Sequence, residues 1–65
     1  MVKTLTDEQR KELLLNLLTQ TAAAHGVYES EQLAGQYDEQ WPTWYAQHMS
    51  EQLAAAGYSI TEAQP

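Results

Sequence analysis

The sequence predicts an all-α fold: a small helical hairpin or three-helix domain, completed as a helical bundle by dimerisation. Three observations carry this. A capping-box sequence followed by a leucine-rich run starts a long helix near residue 7. A second run is bracketed by Pro42 and Gly57, the residues suited to the first helical position and to the left-handed cap. No segment alternates polar and apolar residues as a half-buried strand would.

The first helix begins at Thr6-Asp7-Glu8-Gln9, where the Thr hydroxyl suits the backbone N–H three residues on and Gln9 reaches back. Asp7 and Glu8 fall in the first turn, where the helix dipole favours negative charge. ELLLNLLTQTAAAH follows without Gly or Pro. Leu14, Leu18, Thr21 and His25 share one stripe, with Leu13, Leu17 and Ala24 beside it and Leu15 on the flank. Gly26 either caps the helix or only weakens it. Tyr28 and Gln32 extend the stripe, which favours continuation or a kink to about residue 32. Gly35 marks the turn, and a short third helix before the last one stays open.

Asp38 and Pro42 open the last helix, with Trp41 at or just outside its boundary and Pro42 at the first helical position. Tyr45, Met49, Leu53 and Ala56 form one stripe; Trp41, Trp44, His48 and Ala55 lie next to it. Tyr58-Ser59-Ile60 is placed to fold back on the helix end, and 61–65 reads as a polar tail. SEQLAG and SEQLAA share too few letters to establish a repeat. The whole is one domain, ordered over about residues 6–58.

Its 65 residues make one domain at most, and a chain this small usually needs a staple. It has no cysteine, which removes disulfides, thiolate metal sites and thiol nucleophiles. Leu, Ile, Val and Phe supply 11 of 65 residues, below the roughly one-fifth that separates folded from disordered composition. Two Trp, four Tyr and two Met offset this with large buried area per residue, so the chain reads as folded. The five leucines at 13–15, 17 and 18 make a stripe wider than one neighbour covers. Self-association through Leu14, Leu17 and Leu18, giving a two-fold homodimer, is the expected staple.

Net charge is −6, and Lys3, Arg10 and Lys11 are the only formal cations. The chain therefore lacks the basic face that nucleic acid or an anionic membrane surface requires, while a basic protein partner fits. No apolar run reaches the roughly 18 residues of a membrane span. MVKTLTDEQRKE has no apolar signal core, so the expected compartment is the cytoplasm.

Both tryptophans, two of the four tyrosines and one of the two histidines fall within YDEQWPTWYAQHM, residues 37–49. Trp41, Trp44, Tyr45 and Met49 could be the aromatic half of a core without Phe. The core reading is the favoured one; the alternative is a shallow pocket, in which an indole N–H and a Tyr hydroxyl orient a ligand. Trp44 lies one position round the helix from the Tyr45-Met49-Leu53 stripe and four from His48, at a groove edge, where a site would leave it dispensable for folding. The candidate ligand-binding set is His25, Tyr28, Glu29, Trp41, Trp44, Tyr45 and His48.

His25 and Glu29 are four apart and His48 and Glu51 three apart, so each pair shares a helix face. Two such pairs on facing helices would suit a divalent metal. The chain nevertheless lacks Asp or Glu three residues before either His, as the di-iron bundle pattern requires. No Ser-His-acid spacing, acid–base dyad or glycine-rich phosphate loop is present, so the sequence points to no catalytic residue and no cofactor. Asp38 and Glu39 are adjacent and point apart, a helix-start signal and not a dyad.

AHGVYE at 24–29 and LAGQYDEQWPTWYAQHM at 33–49 resemble small uncharacterised bacterial helical proteins of the pattern AHGxYE…GxYDxxWPxWYAxxM. The resemblance covers about the second half of the chain and marks residues 25–49 as one unit. It implies no catalytic residue and no substrate. The expected function is a small acidic helical protein-interaction module without enzymatic activity. The alternative is a small-ligand or divalent-metal binding protein using the aromatic and histidine cluster at 25–49.

Overall fold

A computed structural model describes residues 4–62. Two helices, α1 (Asp7–Gln32) and α2 (Trp41–Ala55), pack as a helical hairpin, and the described residues contain no strand. The chain is all-α, and the short third helix is not formed. The polar tail falls partly outside the described residues; Thr61 and Glu62, within them, are exposed.

α1 starts where its capping box predicts. Gln9 N–H donates to Thr6 Oγ1 at 3.2 Å, and Thr6 N–H donates to Gln9 Oε1 at 3.0 Å. Arg10 and Lys11 pair with Asp7 and Glu8 one turn back, at 2.9 and 3.4 Å, but all four side chains are well exposed and add little stability. The helix runs through Gly26, because nothing crowds that residue and the positions on either side favour helix. It ends in a turn that swings Ala34 and Gly35 to φ of 54° and 80°, and Gly35 N–H returns to the Glu29 carbonyl at 2.8 Å. Gly35 takes that conformation freely, whereas Ala34 carries roughly 1–2 kcal/mol of steric cost there.

α2 begins one residue earlier than predicted, with Trp41 in the first position and Pro42 in the second. Proline is tolerated there, since a first-turn N–H has no carbonyl to reach. The other end closes as a Schellman motif: Gly57, at φ 87°, donates to Ala54 O at 3.1 Å, and Tyr58 N–H to Leu53 O at 2.9 Å. Of the 58–60 segment only the Tyr58 N–H bonds back to the helix end, and Ile60 is 85% exposed.

The buried face of α1 lies slightly round from the predicted stripe. Leu17, Thr21 and His25 are buried, flanked by half-buried Leu13, Ala24 and Tyr28, while Leu14 and Leu18 stay about half exposed. From α2 come Trp44, Tyr45, His48, Met49 and Leu53, all half-buried; Ala56 and Trp41 are exposed. Leu17 is the one buried hydrophobic residue among the described positions. α1, 26 residues at about 1.5 Å each, is roughly 39 Å long, and the 15 residues of α2 span about 22 Å, so α2 covers only part of it. The radius of gyration is 14.4 Å, where a compact chain of this length would have roughly 11 Å.

Candidate functional site

The one buried polar cluster of the hairpin is built around His25. At the end of the buried stripe Leu17-Thr21-His25 of α1, its ring is 6% exposed, too deep to remain without hydrogen-bond partners. Nε2 meets Asp38 Oδ2 at 2.8 Å, across the inter-helix connection. Nδ1 lies 3.7 Å from Glu29 Oε1, one helical turn on. Glu29 in turn accepts the Asp38 N–H on Oε2 at 3.2 Å, and Asp38 Oδ1 accepts the Gln40 N–H at 2.9 Å. Asp38 thus starts α2 as the sequence suggests, through a backbone N–H, and also fastens the connection to the middle of α1. The His25–Asp38 pairing was not legible in the sequence: thirteen residues separate the partners, and no helical spacing links them.

The hydrogen bond from His25, more than any other contact, lowers the Asp38 carboxyl below its ordinary value of 3.8, helped by the Gln40 N–H and opposed by burial. A lowered folded value means that the ionised carboxylate favours the folded state. Its contribution is complete above the ordinary value and disappears as pH falls through the lowered one. Acid unfolding of the wild type is therefore expected to steepen below about pH 3.8, and that increment should be missing in Asp38→Asn, itself less stable at neutral pH. Parallel urea titrations at pH 7, 4 and 3 measure it; identical pH slopes in the two proteins would contradict the arrangement.

Aromatic rings surround the imidazole. Tyr28, Trp44 and Tyr45 have centroids 5.8, 4.9 and 5.2 Å from it, and Trp44 also stacks on His48 at 5.1 Å with planes 9° apart. Trp41 touches the cluster only at its rim, edge-on to Tyr45 at 5.2 Å. The predicted set therefore divides. His25, Tyr28, Glu29, Trp44, Tyr45 and His48 come together, whereas Trp41 is 42% exposed. Beside Trp44 lies a shallow cleft of about 300 Å³ lined by Tyr28, Asp38, Gln40, Thr43, Trp44 and Gln47. Spacing alone had not marked Gln40, Thr43 or Gln47.

The four metal candidates do not form one group. Glu51 is exposed and accepts from Gln47 Nε2 at 3.3 Å, and His48 faces an indole. Among the described residues, no three His, Asp or Glu side chains are arranged to hold a metal ion. The predicted interface leucines also separate: Leu17 is buried in the hairpin, and Leu14 and Leu18 present about half their surface. No helix among the described residues is long and apolar enough to cross a membrane. Comparison with protein-family models, with curated proteins and with solved structures finds no match to this chain.

Proposed function

We propose that this chain is a non-enzymatic interaction module that works by binding protein surfaces through the leucine-rich face of α1, its own copy first. The observation that carries the reading is the imbalance between core and surface. Leu14, Leu15 and Leu18 are 46%, 63% and 49% exposed, side by side on one helix, while Leu17 is the one hydrophobic residue buried among the described positions. Scattered surface leucines need no explanation, but three within five positions of one helix, on a hairpin with so small a core, do. A second copy set against this face by a two-fold axis would produce a four-helix bundle and supply the missing core.

Sedimentation equilibrium at tens of micromolar is expected to return twice the 7.4 kDa chain mass. Leu18→Glu, on a half-exposed position, should return the single-chain mass while helical circular dichroism persists or falls with dissociation. A wild-type mass of 7.4 kDa at that concentration would end the self-association reading. A stoichiometric protein captured by the monomer would then support a different partner for the same face.

A second reading, small-ligand binding on the aromatic and histidine cluster, is favoured by one observation, the cleft beside Trp44. Tryptophan fluorescence separates the two, because Trp44 reports on the cleft and lies away from the leucine face.

A further inference from the structure

The cleft at the start of α2 has a chemical bias of its own. At about 300 Å³ it lies at the lower end of the range for small-ligand sites, room for one side-chain-sized group and not for a cofactor. One wall is apolar, made by Tyr28 and Trp44, whose rings stand 5.3 Å apart and 31° from parallel, too close for anything to insert between them. The remaining lining residues are Asp38, Gln40, Thr43 and Gln47, of which Asp38 alone is ionisable. Each Asp38 oxygen accepts one hydrogen bond, from Gln40 N–H or from His25, and each retains capacity for a second.

Asp38 is the one charged residue lining the cleft, and Glu29, which accepts the Asp38 N–H, stands next to it. Between residues 29 and 51 the sequence has no Lys or Arg. Among the described residues the only Lys and Arg are Lys11 and Arg10, in the first turns of α1 and already paired with Glu8 and Asp7. The imidazoles of His25 and His48 are the remaining groups nearby able to carry positive charge, and the first is held between Asp38 and Glu29.

We propose that this cleft binds an organic cation, an ammonium or guanidinium on an alkyl stem, with the stem along Tyr28 and Trp44 and the head group at Asp38 and Thr43. The shared chemistry admits two sources, a Lys or Arg side chain of a basic protein or a free alkylamine. A divalent metal is a poor fit, because Asp38 is the one carboxylate on the wall. The site is distinct from the leucine face, so its failure would leave the self-association reading intact.

The test is a titration of the full chain with n-butylammonium, with n-butanol as the uncharged isostere and an acetylated, amidated Gly-Arg-Gly peptide, followed by the Trp44 indole N–H resonance in a Trp41→Phe background. Saturable shifts with butylammonium and none at matched concentration of butanol are expected. Gln40, exposed and with no side-chain capping bond, gives a charge-reversal pair that spares the fold. Gln40→Lys should weaken butylammonium roughly two- to fivefold and Gln40→Glu strengthen it by a similar factor, the size of an exposed charge-pair effect. Tighter binding of the peptide than of the amine would assign the cation to a protein partner, and the reverse order to a free amine. Equal responses to butylammonium and butanol, no response to either, or no change between the two Gln40 variants would overturn the proposal.

Discussion

Trp44→Ala is expected to lose about 3 kcal/mol, the lower end of the range for removing a large aromatic, because the indole is half-buried. For a domain this small that is a fall of roughly 12–24 °C in melting temperature. It is also comparable with the whole stability of a chain of this length, about 3–10 kcal/mol. The cause lies in how many rings this one joins: His25 at 4.9 Å, Tyr28 at 5.3 Å, Tyr45 at 6.3 Å and the stacked His48 at 5.1 Å. Trp41→Ala is the control, with one ring neighbour and 42% exposure, and should cost about 1 kcal/mol or less. Spacing placed Trp44 at a groove edge, where a ligand site would leave it dispensable for folding; its four ring contacts favour the core reading of the same ring. Thermal melts of both variants decide the matter, and equal losses would mean that Trp44 holds no special place in the cluster. Because Trp44 also lines the cleft, ligand tests belong on Gln40 variants and not on this residue.

Leu17→Ala should cost about 2–5 kcal/mol, the usual range for truncating a buried leucine. Leu17 is 6% exposed, and among the described residues no second hydrophobic side chain is as deeply buried to share its role. The comparison that gives the measurement meaning is Leu15→Ala, at 63% exposure on the same helix. Urea denaturation at neutral pH should show a large loss of midpoint for the first and a change within about 0.5 kcal/mol for the second if Leu15 stays outside the interface. A loss at Leu15 that grows with protein concentration would instead place it within the self-association surface. Similar losses at both positions, independent of concentration, would contradict the burial pattern.

The sequence by itself determined the two main helices, the start of α1 and the close of α2, because those depend on contacts within a few residues; the passage through Gly26 and the first residue of α2 were not settled by it. Thr6 and Gln9 form a reciprocal cap, Gly57 closes α2, and Gly35 takes the left-handed turn. His25 and Glu29 are neighbours for the same reason, four positions apart on one helix. What the tertiary structure alone decided is which side of each helix faces the other. The predicted stripe through Leu14 and Leu18 is displaced toward Leu17, and Thr21 ends wholly buried with a hydroxyl that finds no protein partner among the described residues. The broad run of leucines gives several nearly equivalent apolar faces, and periodicity cannot choose among them. The choice is made by the backbone of the turn, where Ala34 and Gly35 both adopt positive φ, and by Asp38, which that turn carries to within 2.8 Å of His25. A hydrogen bond across thirteen residues depends on the path of the chain between them, and no local pattern in the sequence records that path.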